Sequence, residues 1–296
     1  MQTEHINPQH SELDLQSDDA ILTLLLNSQQ QAVDAVRAVQ GVVGNAVAAA
    51  ALRLSSDQQG RLILVGAGAS GRIAVQDGAE LWPTYGWPAA RLLLQIAGGD
   101  GALLHSVEGV EDDPHDAQQQ VSQFNVKQYD VVLGLAASGR SPWTCAWLEE
   151  AREQGALTIG FSNNADTPLL AAAEHPILLD SGAEVLAGST RMASGTAQKI
   201  VLNLFSTLLM IRLNRTHGNL MVDMAATNIK LEGRRIKMMQ AILPALTEAD
   251  ARKALDAAGG WVKLAVLIAN GLSSGDAEQL LVTHSGSLRL SLQAIT

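Results

Sequence analysis

Two short glycine- and serine-rich segments, with acidic residues between them, carry the chemistry that the sequence offers. The first is Gly66-Ala67-Gly68-Ala69-Ser70-Gly71-Arg72 and the second Ala136-Ala137-Ser138-Gly139-Arg140-Ser141-Pro142. Each follows a short apolar run, Leu62–Val65 and Val131–Leu135, and each leads into a segment that can be helical. This is the pattern of a phosphate cradle. Small residues let backbone N–H groups approach an anion, hydroxyls add donors, and a helix N-terminus supplies partial positive charge. Gly68, Ser70, Ser138, Gly139 and Ser141 are the expected anion-binding residues. Glu80 and Glu111 lie between the loops, so anchoring groups and acid–base groups occur together.

The first loop also meets the glycine spacing of a dinucleotide site. That pattern needs an acidic residue at the end of the second strand, about 20 positions on, and none occurs near Arg91–Ala97 until Asp100. Two serine-bearing loops favour a phosphosugar. Arg72 and Arg140 pair either with phosphate or with surface carboxylates. Ser189-Thr190-Arg191 either contacts the ligand or makes a strand-to-helix turn, and Glu184 is a weaker candidate. Glu111 is expected near the end of a helix stopped by Pro114, among Glu108, Asp112 and Asp113. There the helix dipole and like charges disfavour its ionised form, which suits an acid as well as a base; the alternative is a solvated acidic helix end.

The elements that must position these residues read as an α/β chain. Strand-length apolar runs occur at Arg61–Val65, Arg91–Ala97, Asp130–Leu135, Leu157–Phe161 and Pro176–Leu179, with room for helices between them. The expectation is a mainly parallel five-stranded sheet with helices on both faces, flavodoxin-like, with ligands beyond the carboxyl ends of the strands. Ala20 to about Leu54 is helical with a break near Asn27-Ser28 or Gly41. Thr196–Leu213 and Met221–Met239 read as long helices, and Leu246–Ile295 as three short ones with breaks at Gly259-Gly260 and Gly271–Gly275. Thr247-Glu248-Ala249-Asp250 resembles a capping box. Residues 1–51 are expected as an arm and helices packing on the core, 52–240 as the phosphosugar-binding domain with trailing helices, and 241–296 as a small helical domain.

Composition limits the function classes. The 296 residues carry 20 Lys+Arg against 30 Asp+Glu, a net charge of -10, which argues against binding a nucleic-acid backbone. A single cysteine, Cys145, excludes an intrachain disulfide and a cysteine-based zinc site. His105, His115 and His217 have no partners at metal-ligand spacing. No signal-peptide core or run of roughly 20 apolar residues is present, so a cytoplasmic protein without a membrane span is expected.

Several blocks together resemble the N-acetylmuramic acid 6-phosphate etherases. They are Gly66–Arg72, Pro83-Thr84-Tyr85-Gly86, Ile96–Gly99, Val107–Asp112, Ala136–Pro142, Gly188–Met192, Gly195–Lys199 and Gly218-Asn219-Leu220-Met221-Val222-Asp223. The resemblance runs in order from about Thr3 to the C-terminus. It implies a sugar isomerase (SIS) fold, a C-terminal domain similar to ubiquitin-associated domains, a homodimer, and no metal or organic cofactor. It also implies cleavage of the ether joining D-lactate to C3 of the sugar, giving N-acetylglucosamine 6-phosphate in cell-wall recycling. By match to the family motifs Glu80 is the proton donor and Glu111 the second acid–base residue, with Ser189, Thr190 and Arg191 on sugar or lactate.

The chain departs from the family pattern at Gly78, at Leu81-Trp82 where Cys-Pro is common, and at Ala193 where a lysine is common. A phosphosugar isomerase and a non-catalytic sugar-phosphate sensor are the alternatives on the same fold, the latter because a glucokinase regulatory protein resembles these etherases. Ten residues at 1.5 Å rise separate Glu80 from Ser70 by about 15 Å if the intervening helix is unbroken. Either the chain bends back before Trp82-Pro83, or Glu80 serves a site assembled across the dimer interface; the second is preferred.

Overall fold

The computed structural model describes residues 1–224 and 229–295. Its elements run α1 (Asp18–Ala38), α2 (Gln40–Ser56), β1 (Leu62–Gly66), α3 (Gly68–Ala79), α4 (Leu81–Tyr85), β2 (Leu92–Ile96), α5 (Gly101–Leu104), α6 (Pro114–Gln123) and β3 (Val131–Leu135). There follow α7 (Pro142–Glu153), β4 (Leu157–Ser162), α8 (Pro168–Ala172), β5 (His175–Leu178), α9 (Ala193–Arg212) and α10 (Ile229–Ile242). The last four are α11 (Glu248–Ala257), α12 (Val262–Ala269), α13 (Ser274–Thr283) and α14 (Leu288–Gln293).

All five strands are parallel, in the order β2-β1-β3-β4-β5. β1, β3 and β4 are buried along their whole length. That is why their sequences read as unbroken apolar runs: helices cover both faces of a parallel sheet. The strand order reverses direction between β1 and β3, and both glycine loops leave the sheet there. Gly66 at the end of β1 stands opposite Leu135 at the end of β3. Crevices at such a reversal receive the ligands of open α/β sheets.

Contacts divide the chain into two compact units. The first comprises Met1–Ala79 and Ala89–Thr207 and contains the sheet. Its core includes Ile63, Val65, Val132 and the fully buried Trp143 and Trp147 of α7. Trp143 donates its indole N–H to Asp116 Oδ2 at 2.7 Å, which fixes α7 to α6. Asp130, fully buried, accepts from the Arg61 guanidinium at 2.6 Å and from the backbone N–H groups of Arg61 and Lys127, so its charge is matched.

The second unit comprises Glu80–Pro88 and Leu208–Thr296. Its core is built from Val222, Met238, Met239, Val262, Ala265, Leu267, Ala277 and Leu288. The segment carrying Glu80 belongs here, and so does α10.

Two expectations need correction, the helix count at the C-terminus and the role of Pro114. The C-terminal region has four helices, because Ser285 (φ 51°) and Gly286 (φ 76°) add a break before α14. Of the two positions expected for the break in the N-terminal helical region, the one near Gly41 is observed, at Val39. Pro114 starts α6 instead of stopping a helix; Asp113 accepts the N–H groups of His115 and Asp116, and proline at the first turn lacks only a donor that would have been spare. The helix expected over Met221–Met239 falls partly on residues outside the described ones. Thr247 caps α11 as read, accepting the Asp250 N–H at 3.1 Å.

Candidate active site

The first loop is a tight backbone turn. Gly71 N–H donates to Ala67 O at 3.1 Å, and a Cβ at Gly71 would stand 2.6 Å from both Gly66 O and Ile96 Cγ1. Only glycine fits there. Gly68 takes φ +52°, and Ser70, 7% exposed, lies in the first turn of α3. Arg72 is committed elsewhere: its guanidinium donates to Ala102 O, Leu103 O and His105 O, the carbonyls that end α5. Among the described residues no carboxylate accepts from it.

The second loop is held by side chains. Gly139 has φ +65°, and a Cβ on it would collide with the hydroxyls of Ser162 and Thr167. Ser138 Oγ accepts the Arg140 N–H at 3.2 Å, an orientation that leaves its own O–H to donate. Arg140 is exposed. Ser141 is buried and saturated: its Oγ accepts from Thr144 N–H and Thr144 O–H and donates to Glu111 O at 3.4 Å. A hydroxyl has one donor and two acceptor positions, so Ser141 acts here as cap and tether.

That tether brings Glu111 to the second loop. Glu111 is exposed and sits in a one-turn 3-10 helix, Val110–Asp112, reached through Gly109 at φ +75°. The helix end that follows it is the N-terminus of α6. The helix C-terminus expected beside Glu111 is therefore not there.

Glu80 is also exposed and forms the joint between α3, which runs unbroken to Ala79, and α4. It lies in the second unit, Ser70, Ser138 and Glu111 in the first.

Ser189, Thr190 and Arg191 form the turn into α9; Met192 N–H bonds to Ser189 O and Gly195 N–H to Thr190 O. Arg191 is exposed. Glu184, 1% exposed, accepts Ala193 N–H at 3.0 Å and Ser194 N–H and O–H at 2.9 and 2.7 Å. It caps α9 and is spent on that task.

Three of the four departures from the family pattern have local reasons, and the exposed Trp82 has no structural explanation. Ala193 is fully buried, Leu81 is 2% exposed, and a Cβ at Gly78 would collide with Leu94. A hollow of about 800 Å³ lies elsewhere in the first unit, against Asn27, Gln31, Asp34 and Asp180, and none of the expected site residues lines it. Among the described residues no group of three His, Cys, Asp or Glu converges as metal ligands, and no single helix is long and apolar enough to cross a membrane.

The five-stranded parallel sheet, with glycine- and serine-rich loops at its reversal point, belongs to the sugar isomerase class. The SIS domain family matches residues 102–208, and the glucokinase regulatory protein N-terminal SIS domain matches residues 45–152. A phosphoheptose isomerase from Francisella tularensis superposes with a TM-score of 0.48 at 19% identity, over 66% of this chain and 98% of that one.

Sequence relatives are much nearer. An N-acetylmuramic acid 6-phosphate etherase of Deinococcus radiodurans is 43% identical over 97% of this chain and 93% of its own. One from Edwardsiella ictaluri is 39% identical over 99% and 97%. The chain belongs to the N-acetylmuramic acid 6-phosphate etherase family.

Proposed function

We propose that this protein cleaves the D-lactyl ether of N-acetylmuramic acid 6-phosphate, a carbon–oxygen lyase reaction followed by hydration. The observation that carries this is the 43% identity to an etherase across 97% of the chain. The phosphate is held by the first loop, Ser70 and the α3 N-terminus, and by Ser138 and Gly139 of the second. Ser189, Thr190 and Arg191 meet the sugar or the lactate carboxylate.

Opening of the ring exposes an aldehyde at C1, which acidifies the C2 proton. A base removes that proton while an acid protonates the departing lactate oxygen, and the C3–O bond breaks to leave a conjugated alkene. Water then adds at C3 and a proton returns to C2, giving N-acetylglucosamine 6-phosphate and D-lactate. Glu80 donates the proton to lactate and Glu111 is the second acid–base group. The tether from Ser141 to the Glu111 backbone supports this reading, because it joins an acid–base group to a phosphate loop.

Twelve residues of unbroken helix make α3 about 18 Å long. That length supports the reading in which Glu80, which follows it, serves the site of the second subunit in a homodimer. The setting is cytoplasmic recycling of cell-wall sugars.

Release of D-lactate from the phosphosugar, without added metal and read by a D-lactate-specific coupled assay, tests the activity. Stoichiometric lactate is expected, and its loss in both Glu80→Ala and Glu111→Ala with phosphosugar binding retained. Binding without lactate from the unaltered protein would overturn the etherase reading in favour of an isomerase or a sensor.

A further inference from the structure

Two of the sequence blocks, Pro83–Gly86 and Gly218–Asp223, lie in the second unit. Glu80 stands at the start of α4, with its carbonyl accepting the Thr84 N–H at 3.2 Å. At the other end Gly86, φ +59°, returns its N–H to Leu81 O and Trp82 O, and Trp87 N–H bonds to Leu81 O at 3.3 Å. The segment is one closed turn, so whatever fixes Gly86 and Trp87 fixes the backbone at Glu80.

Arg215 and Asp223 do the fixing. A Cβ on Gly86 would collide with the Asp223 backbone carbonyl, so the two main chains are in direct contact. Arg215 Nη1 lies 3.5 Å from Gly86 O, and its guanidinium stands 5.6 Å above the Trp87 ring. Asp223 Oδ2 receives Arg215 at 3.4 Å and Lys263 at 2.6 Å, while Lys263 also donates to Asn214 O at 2.7 Å. Asp223, Lys263 and Trp87 are 6%, 7% and 1% exposed.

Two cations share one carboxylate, and the surplus charge of Arg215 faces an aromatic ring and a carbonyl, both of which attract it. Burial outweighs pairing here: it pushes the Asp223 carboxyl up and the Lys263 ammonium down from their ordinary values. A buried ion cluster of this kind contributes little net stability but selects one arrangement over others.

We propose that Arg215, held in place by Asp223 and Lys263, is a positioning residue for Glu80, clamping the one-turn helix that Glu80 begins. The C-terminal helices then have a part in turnover, because Lys263 belongs to α12. The proposal rests on the reading of Glu80 as a catalytic acid.

Steady-state D-lactate release and amide hydrogen exchange, both on the full chain, test it with Arg215→Gln and Gly86→Ala. Expected is a fall in kcat of about 10- to 100-fold, the effect of misplacing a reacting group by an ångström or less, with KM changed by no more than about twofold. Exchange should accelerate in residues 80–88 and stay unchanged in the loop at 66–72. Arg215→Lys keeps the charge without the planar fork, should fall between, and carries the same kcat test if Arg215→Gln unfolds.

Normal kcat in Arg215→Gln beside an inactive Glu80→Gln would overturn the proposal alone. Normal turnover by Glu80→Gln would overturn the reading of Glu80, and the proposal with it. Exchange that accelerates equally in both segments would show a general loosening and also overturn it.

Discussion

The two glycine loops have similar sequences and leave neighbouring strands, yet they are built in different ways. The loop after β1 is closed by main chain on main chain, Gly66 against Gly71, with its arginine turned away to end α5. The loop after β3 is held by hydroxyls: Ser141 on Thr144 and Glu111, Ser138 on Arg140, and Gly139 pressed against Ser162 and Thr167. A backbone-closed loop keeps its shape when a side chain is trimmed and is broken only where one is added. A loop held by side chains divides its duties among residues, and each can be removed separately.

That contrast breaks most sharply at Gly71. Gly71→Ala puts a methyl group against a carbonyl of its own turn, which cannot rotate away; overpacking of this kind costs about 3 kcal/mol, and D-lactate release should be lost. A denaturation midpoint like that of the unaltered protein would mean that the first loop is not closed as described.

The two serines of the second loop should split. Ser138→Ala removes a charge-assisted bond to phosphate of about 1.5–3 kcal/mol, so KM should rise about 10- to 100-fold with stability unchanged. Ser141→Ala removes the cap of α7, about 1 kcal/mol, and frees the Glu111 segment, so stability and kcat should fall while KM holds. A rise in KM for Ser141→Ala matching that for Ser138→Ala would make both serines phosphate donors.

The smallest effect is expected at Cys145, whose thiol faces Gly139 O at 3.8 Å. Burial, with Glu149 adding and Arg140 opposing, pushes this thiol up to about 11. Its folded value is above the unfolded 9.0, so its contribution to stability is fully present below pH 9 and lost as pH rises through about 11. Alkylation at pH 8.5 should therefore be about 100-fold slower than for a free thiol on thiolate population alone. Cys145→Ala should leave turnover intact and flatten the alkaline limb of the stability profile; an unchanged alkaline limb would remove Cys145 as its cause.

The sheet was legible because its strands are buried on both faces, so that Leu62–Val65 and Val131–Leu135 show as apolar runs. The loops were legible because glycine and serine are uncommon neighbours to such runs. Commitments made by single side chains were not. Nothing in the sequence says that Arg72 ends α5, that Glu184 caps α9, or that the hydroxyl of Ser141 is already saturated, since each depends on a partner placed by tertiary packing. Pro114 was misread because proline both follows and begins helices; the Asp113 N-cap before it was the available signal. The membership of residues 80–88 in the second unit rests on contacts with Arg215, Asp223 and Trp261, more than a hundred positions away.

The pairing of Gly66 with Leu135 sets a gauge for the ligand. Adjacent strands stand about 4.8 Å apart, so the two loops begin at a spacing dictated by peptide geometry. On the proposed phosphate-binding reading, hydrogen bonds of about 2.8 Å from either side would converge on a single tetrahedral anion. Substitutions in the loops would tune how firmly that anion is gripped. The spacing itself belongs to the sheet, and no side-chain change within the loops can widen it.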